Sequence, residues 1–253
     1  MDSTVIKFDL AKLFAELSED ELAGMSRAGE EVRENIRLLK KSGHNPVGRC
    51  LENQGVFYED AHYPKGDVYD KESHAQYYYH AHRPESGEHG HFHTFVRARG
   101  MPGGMKPTPY DGDVKRPMGK DAISHIVAIS MDRPGMPIGL FTTNRWVTGE
   151  TFYPASDVVR LIDRFIVEQS YPCLATNRTV TNLIHLFKPQ IIALLSKRDE
   201  VVADWANSHP DRDVYEDREL EITSIADINI DRQISALNQA RRALEKRNRR
   251  QTA

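Results

Sequence analysis

Cysteine is nearly absent. The chain of 253 residues has two, Cys50 and Cys173, far apart and in no C-x-x-C arrangement, which removes a disulfide framework and a thiolate zinc site from consideration and fits a reducing cytosol. Long hydrophobic runs are missing too. None approaches the roughly 18 apolar residues of a membrane span, and the opening stretch MDSTVIKFDLAKLFAEL carries acids among its apolar residues, so it reads as neither a targeting signal nor an anchor. There is no excess of one charge: 34 Lys and Arg face 37 Asp and Glu, leaving no global field to draw the protein onto nucleic acid or a membrane. No internal repeat is detectable. What remains is a cytoplasmic protein whose expected partner is a small-molecule substrate or ligand, with oligomeric state left open.

The length suits one large core, and the hydrophobic periods suggest how it is built. Ser18 and Glu21 form a capping box ahead of a helix stopping near Gly43, with Leu22, Met25, Val32, Ile36 and Leu39 on one stripe. From Gln54 the period changes to that of strands, in GVFYED, QYYYHAHR, HGHFHTFVR, AISHIVAISMD and PIGLFTTNRWV. Arg133-Pro134-Gly135-Met136 is the turn of a hairpin between the last two. Residues 100–120 are rich in Gly and Pro and read as a long loop. Helices follow: Ser156 is a candidate cap for DVVRLIDRFIVEQ, Thr179–Ala206 must break near Phe187 because of Pro189, and Asp231 caps a last helix with a basic end. The basic end suits a helix C-terminus better than nucleic acid, since no aromatics interleave with it. The expectation is one α+β domain over residues 1–253, helical over 1–45, an antiparallel sheet of about five strands over 54–150, and C-terminal helices over 155–250 packed on it.

The histidines carry the strongest functional signal. Six of eleven lie between His74 and His93. His80 and His82 are two apart, as are His89, His91 and His93, and strand residues two apart share a face. The opposite parity, Tyr77, Tyr79 and Ala81 against Phe92, Thr94 and Val96, is largely apolar and should face the core. If RPESGEHG holds the turn, registers that align the apolar faces also bring His80 and His82 across from His89, His91 or His93. Clustered neutral imidazoles suit a divalent transition metal such as Fe, Zn or Cu. The ligands expected are His80, His82, His91 and His93. Glu88 is the expected proton-moving catalytic residue, with Asp67, Asp70, Glu72 and Glu85 as substitutes, and His74, Tyr78 and, in place of its ligand role, His93 as outer partners. The bland alternative is a solvent-facing or pH-responsive patch.

Two known signatures fail on inspection. HGHFHTFV has the outline of the histidine-triad nucleotide hydrolases, but Gly90 stands where they place an apolar residue. HAHRPESGE has the H-x-H of cupin sites with its acid at the wrong spacing. The runs YYYHAHR, EHGHFHTFVR and LFTTNRWVTGE together resemble an uncharacterised family of bacterial proteins, a domain of unknown function, from about Tyr58 to Leu237. That resemblance implies a bacterial source and carries no activity.

Other residues have a structural reading beside a functional one. Arg145 and Trp146, at the end of a strand, are candidate substrate-binding residues, Arg145 for an anionic group and Trp146 as a wall; a buried Trp and a paired Arg are the plainer reading. Met101, Met105 and Met118 are candidates for mixed His and Met copper ligation. His125 and His185 read as core histidines. The functional expectation is a metal-dependent enzyme, an iron or copper oxidoreductase or a zinc hydrolase, acting on a small molecule. The alternatives are a non-catalytic metal-binding or sensing module and a metal-free small-molecule binding domain.

Overall fold

A computed structural model describes residues 4–83 and 87–251. Helix α1 (Leu10–Ala15) is capped by the Asp9 carboxylate, and α2 (Glu19–Lys41) starts at the capping box of Ser18 and Glu21 and buries the expected stripe. After the short α3 (Pro46–Leu51) come strands β1 (Tyr63–Tyr69), β2 (Ala75–His80), β3 (Gly90–Arg97), β4 (Ile123–Met131) and β5 (Pro137–Thr143). Helices α4 (Arg145–Thr148), α5 (Ala155–Val158), α6 (Leu174–Leu186) and α7 (Lys188–Ser208) intervene before β6 (Ile222–Asp227) and α8 (Ile230–Gln251). The six strands form one sheet in sequence order, every neighbour antiparallel. The fold is α+β, as its sequence pattern implies.

Alternation along the strands divides the sheet's two faces. Tyr77, Tyr79, Phe92, Val96, Ile129 and Leu140 join Leu22, Val32, Leu183, Ile191 and Leu194 of the helices in the main core, each contributing roughly 1.5–3 kcal/mol on burial. Residues of opposite parity, Tyr78, Phe95, Ala128 and Phe141, are buried outside that core. They share their face with His91 and His93, which are themselves buried.

Several boundaries differ from the sequence reading. GVFYED is irregular, and the first strand is YPKGDVY; as an edge strand it tolerates Pro64 and Gly66, which read as loop signals. β6 lies inside the stretch expected to be helical, where Ser224 binds the Leu194 carbonyl of α7 through its hydroxyl at 2.8 Å. DVVRLIDRFIVEQ forms only the end of α5 and a 3-10 turn, in which Val158, Leu161 and Ile162 are buried. Asn229, not Asp231, caps α8, accepting from the Arg232 N–H at 2.9 Å, while Asp231 sits in the first turn beside Arg33. The break at Phe187 and the β4–β5 turn occur where the sequence places them. Gly135 has φ +80°, and a Cβ there would lie 2.5 Å from Asn45, so only glycine fits. Among the described residues, no helix is long and apolar enough to cross a membrane.

Candidate metal centre

The hairpin of β2 and β3 sets the geometry. Tyr79 pairs with Phe92 and Tyr77 with Thr94 on the core face, which places His80 directly across from His91 and Tyr78 across from His93 on the other. His82, just past the end of β2, turns back toward the pair. Ring centroids are 4.6 Å apart for His80 and His82, 5.4 Å for His80 and His91, and 5.2 Å for His82 and His91. One nitrogen from each of these three lies within 4.8 Å of the other two, so the triad could hold a metal ion. A tetrahedral ion needs nitrogens roughly 3.4 Å apart, within reach of a small rotation of the half-exposed His82 ring.

Hydrogen bonding fixes which nitrogens face that point. His91 Nδ1 is 2.7 Å from Glu88 Oε1, and because a carboxylate only accepts, Nδ1 carries the proton and Nε2 presents its lone pair. That Nε2 is buried and has no hydrogen-bond partner. His80 hydrogen-bonds the Ala61 backbone, while its Nδ1 is also buried and unpartnered. Two orphaned lone pairs in one triad are costly unless something binds them.

Electrostatics keep the rings in their ligating form. Burial, then the neighbouring His91, His82 and His62, push His80 down to about 3. Burial also lowers His91 despite the opposing Glu88, and takes His93 well below its ordinary value, with His91 and His125 adding to the effect. Burial alone would raise Glu88, but hydrogen bonds from His91 and Ser130, with Arg83 nearby, hold its carboxyl below the usual range. A neutral imidazole donating to a carboxylate is the pairing that orients metal-binding histidines.

The remaining expected residues are placed as follows. His93 is buried, with its ring 4.7 Å from His91, and its Nδ1 is 3.0 Å from His125 Nε2; it lies beside the triad rather than within it. His125 is a buried, hydrogen-bonded core histidine. His89 leaves the row: its Nδ1 is 2.6 Å from Tyr79 Oη, on the core side, because the chain turns into β3 only at Gly90. A Cβ at Gly90 would lie 2.5 Å from that hydroxyl and 2.6 Å from the His80 carbonyl. His74 binds Tyr69 at the far end of β2, and Tyr78 stacks on His62 at 3.6 Å. Asp67 serves His62 and Gln76, Asp70 caps a turn, and Glu72 is exposed. Glu85 lies outside the described residues.

Arg145 and Trp146 sit elsewhere, with internal partners. Arg145 is 1% exposed, paired with Glu216 and lying 4.6 Å under the Tyr110 ring. The Trp146 indole N–H donates to the Leu220 carbonyl at 2.9 Å. Met101, Met105 and Met118 share a pocket with Thr151 and Tyr153 that no described histidine lines. Sequence reasoning missed His62, outside the histidine cluster, whose ring meets His80 edge-on at 5.7 Å. It also missed Arg83, inside HAHR, whose guanidinium covers Phe141 at 4.8 Å.

The model of a family described as "Domain of unknown function (DUF6969)" matches residues 26–228. No curated protein and no solved structure matches the chain.

Proposed function

The chain belongs to this family of unknown function, and we propose that it binds a divalent transition-metal ion, Fe, Zn or Cu, on His80, His82 and His91 and uses it as a metal-dependent enzyme on a small molecule. The observation that carries this reading is the convergence of two buried, unpartnered imidazole nitrogens, His80 Nδ1 and His91 Nε2, with His82 completing the triad. Three protein ligands leave a position open, the arrangement of catalytic rather than structural sites. When bound, the ion would supply Lewis-acid or redox chemistry. Glu88 acts as a positioning residue, holding His91 in the ligating tautomer. An open pocket of about 470 Å³ reaches the triad at His82 and is lined also by Phe57, Arg83, Glu88 and Arg133, a size that suits a small molecule.

Water-proton relaxation of the Mn(II)- or Cu(II)-loaded protein tests the open position. Enhanced relaxation from an exchanging bound water is expected. A loaded protein with no enhancement has a closed shell, which would make it a non-catalytic metal-binding module.

A further inference from the structure

The pocket beside the triad combines charges in a way that selects a ligand. Among the described residues, Arg83 and Arg133 line it together with Glu59 and Glu88, so these side-chain charges cancel. The imidazoles of the triad are neutral when they ligate, so an ion would keep its full double positive charge at the pocket floor. Glu88 is turned toward His91 at 2.7 Å, with Arg83 Nη1 at a longer 3.9 Å from the same oxygen. Arg83 lies over the face of Phe141 at 4.8 Å, and a guanidinium has five N–H donors, enough for several partners. Arg133 projects from the exposed β4–β5 turn. Phe57, 40% exposed, offers an apolar wall.

From this geometry we infer that the pocket takes a small organic carboxylate with an apolar or aromatic body, its carboxylate held by Arg83 and Arg133 and its reacting end directed to the ion beside His82. Planar carboxylates match the guanidinium fork. This inference rests on the metal reading above.

The test uses the intact protein loaded with Co(II), whose visible bands report changes around the ion. Benzoate and its neutral counterpart benzamide are titrated into wild type and into Arg83→Gln plus Arg133→Gln. Benzoate should shift the bands in wild type, with its affinity falling about tenfold or more in the double variant at unchanged cobalt stoichiometry. Benzamide should leave the bands unmoved. Arg133→Gln alone, on an exposed turn, reads the same effect at smaller amplitude should the double variant fold poorly. Cobalt uptake with bands unmoved by benzoate, benzamide binding as well as benzoate, or affinity unchanged in the variants overturns the inference alone. A wild-type protein that takes up no cobalt overturns the metal reading beneath it.

Discussion

Replacing Glu88 by glutamine removes one negative charge from the group that fixes His91, while leaving an amide oxygen that can accept the same hydrogen bond. The native contact is short, 2.7 Å between Glu88 Oε1 and His91 Nδ1, and the side chains are 3% and 0% exposed, so solvent screens it little. A carboxylate behind an imidazole raises the basicity of the opposite nitrogen, here the unpartnered Nε2. Loss of such outer partners typically weakens metal binding 10–100-fold, or about 1.4–2.7 kcal/mol. The metal-free fold should lose less, about 1 kcal/mol or under, because the hydrogen bond persists. Competition with a chromophoric chelator gives zinc affinity, and urea unfolding of the metal-free protein gives stability. Zinc affinity within twofold of wild type refutes the positioning role. A fall in affinity matched by an equal loss of metal-free stability refutes it as well, since Glu88 would then be serving the fold.

Three further outcomes follow from the same geometry. Gly90→Ala should destabilise the protein by about 1–3 kcal/mol in urea unfolding, since its Cβ would collide with the Tyr79 hydroxyl and the His80 carbonyl; unchanged stability contradicts the close approach. Arg145→Met should destabilise by up to about 3 kcal/mol, leaving Glu216 unpaired, yet keep full metal stoichiometry by elemental analysis; metal loss in a folded variant would tie Arg145 to the site. Burial raises Glu150 to about 7 against the pull of Arg198, so the folded state holds a proton that the unfolded state releases near 4.5, and the stability this group contributes is lost as pH rises through that window and levels off above 7, against the opposite contribution of the buried histidines. Glu150→Gln lacks this slope and should gain on wild type by about 3 kcal/mol between pH 4.5 and 7.5, read by urea unfolding at each pH; parallel profiles for the two proteins contradict it.

Much of the site is legible in the chain because a strand's period of two couples the faces. Once Tyr77 and Tyr79 are set against Thr94 and Phe92, His80 must oppose His91, and the structure has that register. Parity fails at His89, where the strand has not yet begun and the ring follows Tyr79 instead. It is silent about His62 and Arg83, which reach the cluster through loop geometry that no periodicity encodes. The fold was harder to read at its edges. β1 carries Pro64 and Gly66, acceptable only because it is an edge strand, and β6 is six residues whose polar Thr223 and Ser224 find partners in Thr142 and in α7. Such partners exist only in the assembled sheet. Arg145 and Trp146 stand at a strand end, where clefts often form, but Glu216, Tyr110 and Leu220, supplied from distant segments, enclose them.

The most direct test of the metal centre is elemental analysis of untagged protein, wild type against His80→Ala plus His91→Ala, after anaerobic exposure to Fe, Zn, Cu, Mn and Ni. The account predicts near-stoichiometric metal in wild type and its loss in a folded double variant. No metal in wild type, or equal metal in both, would contradict it.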